Sequence, residues 1–208
     1  EPAFALVHRN LALGYAGQPD GMARAIESME AAVGRDPEEP RFCLEMDQLH
    51  EAANVPAEKR LAFLESHHGA VARRDDALSR EIALLVEVGR IDGALELIRG
   101  RQFHIWEGGG RTAVHNSYAE AHLVLGRRHR AAGRHAEALK EFEAALEYPA
   151  NLGMGRPLRG ERLPEIYFEI GLVREAMGDR EAAAKGFGMA VQTAPADLAP
   201  RRPAATDE

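Results

Sequence analysis

The sequence predicts an all-α fold, a right-handed α-solenoid of about five helical hairpins, on three observations. The composition is 45% hydrophobic but only 6% aromatic. It is rich in Ala, Leu, Glu and Arg, unbranched or small side chains that lose little rotamer freedom in a helix. A pattern of small and aromatic residues recurs at one spacing in two consecutive copies, which marks a repeat array in place of a single-core domain. Gly and Pro stand at the ends of the periodic apolar segments, where helices stop and start.

The last copy sets the frame. It carries Tyr167, Ile170 and Gly171, then Gly178, Ala183, Phe187, Ala190 and Pro195. Gly171 is expected to let the second helix of the hairpin (helix B) cross closely over the first (helix A), and Gly178 to supply the positive φ that ends helix A. Ala183, Phe187 and Ala190 form one apolar stripe at helical spacing.

In chain order, the first hairpin spans about 3–37, with Leu11, Ala25, Met29, Ala32 and Pro37 in the frame and one extra residue in a turn at Gly17 to Gly21. A second, about 38–72, joins Arg41–Ala53 to Pro56–His68 through Asn54-Val55-Pro56, where Pro suits a first helical turn. A third, about 74–100, reads Leu78, Ile82, Leu85, Gly89, Ile91, Ala94 and Ile98, with Glu81 where the frame wants Leu. The fourth, about 113–149, repeats the frame as His122, Leu125, Gly126, Gly133, Ala138, Phe142, Ala145 and Pro149, and the fifth spans about 161–195. These make one repeat domain over 1–194. Insertions at Gly100 to Ala113 and Pro149 to Leu163 both precede a helix A and are expected on one edge of the array, where repeat proteins often place binding groups. The tail 196–208 lacks periodicity and is expected to be disordered.

On these residues the chain resembles the tetratricopeptide repeat superfamily. Two segments, Gln102-Phe103-His104-Ile105-Trp106-Glu107-Gly108-Gly109 and Tyr148 through Pro157, narrow the likeness. They resemble the C-terminal helical part of large bacterial proteins whose N-terminal part is β-rich and similar to sugar-binding or sugar-processing sandwich folds. The resemblance covers about Leu11 to Ala194. It implies a protein-binding or scaffolding module that engages a peptide, a partner subunit or its own N-terminal domain. It also implies a rival role as an accessory module of a carbohydrate-active protein. It carries no catalytic residue onto this chain.

Composition and motifs narrow the chemistry. A net charge of −7 is the opposite of a surface built for polyphosphate, so no nucleic-acid partner is expected. No apolar run approaches the roughly 20 residues of a membrane span. The chain opens at Glu1 without Met or a leader, the pattern expected of an excised fragment, from which a targeting signal could have been removed, and a cytoplasmic location is the expectation. The lone Cys43 lies in an apolar helical stretch and reads as a small buried hydrophobe. His115, His122 and His129 fall on one helical stripe. At roughly 1.5 Å per residue they are about 10 Å apart in turn, too far to share one ion. Gly108-Gly109-Gly110-Arg111-Thr112 lacks the GK[ST] ending of a phosphate loop, and Gly153, Gly155 and Gly160 break the dinucleotide spacing. With no GxSxG elbow or other catalytic constellation, no enzyme activity, metal or cofactor is expected.

Two candidate binding regions remain. On the repeat frame Glu120, Leu123, Arg127 and Arg130 of the fourth helix A face the concave groove, as do Glu165, Phe168, Leu172 and Glu175 of the fifth. Charge with a few apolar positions suits an extended peptide, and Arg offers forked donors to carboxylates. The alternative is that the arginines pair with glutamates of neighbouring helices, such as Glu137 or Glu141. The second region gathers His104, Trp106, Glu107, Asn151 and Arg156 from the two insertions. There Trp106 either anchors a partner or ligand or plugs a gap between repeats. Homodimerisation through the first or last hairpin is a further expectation, because arrays expose their end faces.

Overall fold

Four helices of this chain end where the backbone turns left-handed, and they do so with one recurring device. Asn54 (φ 56°), Gly89 (φ 79°), Gly133 (φ 71°) and Gly178 (φ 83°) each follow a helix A. At each, two backbone N–H groups close the helix end. Gly133 N–H donates to Arg130 O and Arg134 N–H to His129 O, both at 3.0 Å. Gly178 N–H donates to Glu175 O (2.9 Å) and Asp179 N–H to Arg174 O (3.0 Å). The pairs Asn54/Val55 and Gly89/Arg90 repeat this with the Glu51/His50 and Val86/Leu85 carbonyls. This six-to-one, five-to-two pattern satisfies carbonyls a helix end otherwise leaves bare. Asn at the second turn fits because its short polar side chain tolerates left-handed backbone. The first turn is longer and places Asp20 at φ 56°.

The computed structural model describes residues 2–104, 113–153 and 162–194. Among them are α1 (Pro2–Ala16), α2 (Met22–Arg35), α3 (Pro40–Ala52), α4 (Ala57–Ser66), α5 (His68–Val71), α6 (Asp75–Glu87), α7 (Ile91–Arg99), α8 (Ala113–Ala131), α9 (His135–Ala144), α10 (Leu163–Ala176) and α11 (Arg180–Thr193). A 3-10 turn spans Ala150–Leu152. There is no strand among the described residues. The helices make five hairpins, and α5 is a four-residue extra that the sequence does not announce. Pro56 stands just before α4 as its N-cap, and Pro40 opens α3 while the Glu39 side chain accepts from Arg41 N–H.

The chain forms two compact units, Glu1–Ser117 with Pro149–Met154, and Tyr118–Tyr148 with Gly155–Glu208. In the first, Ala5 and Ala12 of α1 pack with Ala25, Met29 and Ala32 of α2 and Phe42, Met46 and Leu49 of α3. The core of this unit also holds charge. Asp47, fully buried on α3, accepts from Arg60 Nε of α4 (2.9 Å), and Arg80 of α6 pairs with it as well. Both arginines reach Glu51, one turn along α3, at 3.2 and 2.8 Å. The network pins three helices and leaves neither buried charge bare, the condition under which a buried ion pair is tolerated. Glu81, out of place in the repeat frame, is buried on α6 with His68 Nδ1 at 2.9 Å from its carboxylate. The polar residue persists there because a neighbouring helix partners it.

In the second unit the frame residues meet as the repeat requires. An added Cβ at Gly126 of α8 would lie 2.6 Å from Phe142 Cδ1, and one at Gly171 of α10 would lie 2.6 Å from Phe187 Cδ1. The Gly of helix A is thus the seat for the Phe ring of helix B, twice. In α10–α11 the approach is tighter still, since a Cβ at Gly186 would lie 2.9 Å from the Gly171 Cα. Leu123, Ala138, Leu139, Phe142, Ala145, Ile166 and Val173 complete this core across α8, α9 and α10.

Candidate functional site

The helix A faces of α8 and α10 are joined by an ion-pair ladder. Arg127 Nε donates to Glu169 Oε1 (2.7 Å) and Arg127 Nη2 to Glu165 Oε1 (2.6 Å). Arg130 Nη2 lies 3.2 Å from Glu169 Oε2, and Arg162 pairs with both Glu120 and Glu165. Spacing explains the geometry. Residues 127 and 130 on one helix, and 165 and 169 on the other, sit one turn apart on facing stripes. Burial pushes the Glu165 carboxyl upward, but the guanidinium groups of Arg127 and Arg162 outweigh it and hold its pKa below the ordinary value. Arg127 and Arg130 therefore do pair with glutamates, and these are Glu165 and Glu169 of the next helix A. Glu141 instead holds His122 Nδ1 at 2.7 Å. Sequence spacing favours partners close in sequence and cannot show that the next helix A lies nearer.

Around this ladder the apolar positions divide. Phe168 is 49% exposed, with its ring centroid 5.7 Å from that of Phe187, and Leu172, one turn on, is partly exposed. Leu123, by contrast, is fully buried in the core with Ile166 and Val173, so its groove-facing expectation is corrected. The reason is that α10 packs directly over that turn of α8, and Arg127 and Arg130 hold the exposed edge.

Of the second region, His104 and Asn151 are described, whereas Trp106, Glu107 and Arg156 lie outside the described residues. Both described residues belong to a clasp within the first unit. Asn151 Nδ2 donates to Ile98 O (2.8 Å) and Arg101 O (3.0 Å), and its own carbonyl accepts from Phe103 N–H (2.7 Å). Asp75, nearly buried at the start of α6, accepts from His104 N–H (2.7 Å) and Arg101 Nε (2.7 Å), with His104 Nδ1 at 3.1 Å. Burial pushes the Asp75 carboxyl upward, but these donors win and its pKa lies below the usual value. The clasp ties the segment after α7 to the 3-10 turn after α9. No periodicity announces it, because its partners are 29 and about 50 residues apart.

Packing accounts for three more of the chemistry-bearing residues. Burial pushes the Cys43 thiol up to about 11, which keeps it protonated. His67 rests on Phe63, with its Nδ1 2.9 Å from Phe63 O. His129 Nδ1 accepts from Arg134 Nε at 2.9 Å. Among the described residues no three His, Cys, Asp or Glu side chains are grouped to hold a metal, and no helix is long and apolar enough to cross a membrane.

No known protein-family profile matches the sequence. Solved structures do match. The crystal structure of MamA superposes with a TM-score of 0.59 at 16% identity over 93% of this chain and 93% of that one. MamA residues 41 to the end from Desulfovibrio magneticus RS-1 gives 0.55 at 13% identity over 91% and 94%. YrrB, described as a TPR protein with an unusual peptide-binding site, gives 0.59 at 15% identity over 93% of this chain and 88% of its own. With repeated helical hairpins, recurring turn device and Gly–Phe crossings already in place, these likenesses establish that the chain has the fold of the tetratricopeptide repeat proteins.

Proposed function

We propose that this chain is a non-catalytic protein-interaction module that takes an extended peptide segment on the helix A faces of α8 and α10. The observation that carries the reading is the contrast on that surface. Phe168 stands half exposed, while Arg127, Arg130, Glu165 and Glu169 beside it are tied into one ladder. An exposed aromatic within a pre-ordered polar rim is the make-up of a binding hot spot, because the anchor gains burial and the rim loses little entropy on binding. Leu172 extends the apolar strip by one turn, and the ladder offers charges of both signs to a peptide's own side chains. The peptide-binding site of YrrB, which shares the fold, supports the reading.

The test is selection of peptides from a displayed random library on the immobilised chain. Enriched peptides are expected to lose binding when Phe168→Ser and Leu172→Ser are combined, with the helical circular dichroism and melting temperature nearly unchanged. Failure to enrich any sequence, or equal binding to the double variant, would contradict the proposal.

A further inference from the structure

His67, His68, His104 and His122 each hold Nδ1 within 3.1 Å of a carbonyl or carboxylate oxygen. A proton added to such a ring leaves that bond in place. His50, in the last turn of α3, differs: its Nδ1 is buried and has no hydrogen-bond partner. The residue as a whole is partly exposed, so Nε2 is the nitrogen that meets solvent. The neutral ring therefore carries its proton on Nε2 and turns a bare lone pair inward. Acid can add a proton only at the buried nitrogen, where it makes a donor with no acceptor, the costly kind of buried polar group.

The ring sits where two helices close on each other. It stands edge-on to Phe63 of α4, with centroids 5.7 Å apart at 86°, and His67 lies against the same phenyl ring at 4.7 Å. Phe63 in turn packs on the core cluster that holds Phe42, Met46 and Leu49. Charged groups act on the imidazole from three helices. Burial disfavours its charged form most, and Arg60 of α4 adds to this, whereas Asp47 of α3 and Glu30 of α2 work the other way. Asp47 is already engaged by Arg60 and Arg80. Burial prevails and holds the His50 pKa below the ordinary imidazole value.

We propose that His50 is an acid-release latch of the α3–α4 hairpin: a proton on its inward nitrogen drives α4 off α3 and frees Phe63 from the core of the first unit. Above the ordinary imidazole range the ring is neutral in both the closed and the open hairpin, and closure is at full strength. It weakens as pH falls from about 6.5 towards the lower value of the closed state, because the open ring takes up its proton first. Glu51, whose pKa is lowered by its hydrogen bond from Arg80, stays ionised through this window, so its ion pairs are not what the acid breaks. None of the residues of the peptide-binding reading takes part, and the two stand or fall separately.

Amide hydrogen exchange of α4 in the full chain tests the latch, read between about pH 7.5 and about pH 5.5 and corrected for intrinsic exchange. The opening constant at the buried Leu61 and Leu64 should rise with acid by at most about tenfold per pH unit, the slope of one proton per opening. His50→Gln, which stays neutral, should make it flat, and His67→Gln should keep the parent's rise. In the parent chain, the His50 ring resonance should titrate below the ordinary imidazole value, a reading that depends on no variant folding. A parent whose α4 exchange ignores pH overturns the proposal. So does a rise that persists in His50→Gln or vanishes in His67→Gln, or a His50 ring that titrates at or above the ordinary value.

Discussion

Replacing Gly126 by Ala tests the repeat geometry where helix A meets the Phe ring of helix B. In an isolated helix the change would stabilise by up to about 1 kcal/mol, because Gly is the poorer helix former. Here the new methyl would sit 2.6 Å from Phe142 Cδ1, well inside contact distance, and Phe142 is fully buried. Overpacking of this kind costs about 1–3 kcal/mol, and the rigid, buried obstacle places it at the upper end. The net loss is about 2 kcal/mol, or about 4–8 °C in melting temperature for a chain of this size. Gly93→Ala is the control. Its Cβ would make ordinary contact with Leu85 at 3.8 Å, so that variant should melt at or above the parent. Phe142→Leu on the Gly126→Ala background should recover at least ~1 kcal/mol relative to additivity, because it removes the clashing ring edge. Thermal and urea unfolding followed by circular dichroism read all five proteins, the Phe142→Leu single variant included. If Gly126→Ala were as stable as the parent, or the two changes strictly additive, the close crossing of α8 and α9 would be refuted.

Other consequences follow from the charge networks. Asp47→Ala leaves Arg60 and Arg80 without their buried partner and should lower stability by about 3–5 kcal/mol in urea melts. Loss of the exposed Arg73–Glu38 pair should cost about 0–1 kcal/mol. Asp75 and Glu165 have pKa values lowered in the folded state, so they bind protons more readily unfolded. Their stabilisation is full above the ordinary carboxylate range and fades as pH falls through their folded values. Acid titration of stability should show this, and Asp75→Asn should flatten the acid limb. Asn151→Ala strips a donor from the Ile98 and Arg101 carbonyls, at about 1–3 kcal/mol, and should speed hydrogen exchange at Phe103 N–H, whose acceptor is the Asn151 carbonyl.

What the sequence revealed and what it hid divide along physical lines. The last two hairpins were legible because Gly126, Phe142, Gly171 and Phe187 are constrained by contact inside one hairpin, at fixed separation. The left-handed turns at Gly133 and Gly178 were legible for the same reason, whereas Asn54 does a glycine's work without a glycine's signature. The ladder from Arg127 to Glu169 and the Asp75 clasp span different hairpins, and no periodicity records such contacts. Asp47 left one faint mark, since it lies a turn from Cys43 in an apolar stripe where a charge needs a buried partner. Leu123 shows the limit of frame counting. The same repeat position faces outward at Phe168, beside the last helix B, and inward at Leu123, where another helix A lies over it.

Amide chemical-shift mapping of the labelled chain with a library-selected peptide tests the interaction role most directly. The account predicts that the largest changes fall on Glu165, Phe168, Leu172, Arg127 and Arg130, saturate with peptide, and vanish in the Phe168→Ser, Leu172→Ser chain. Shifts centred on other helices, or none at saturating peptide, would contradict it.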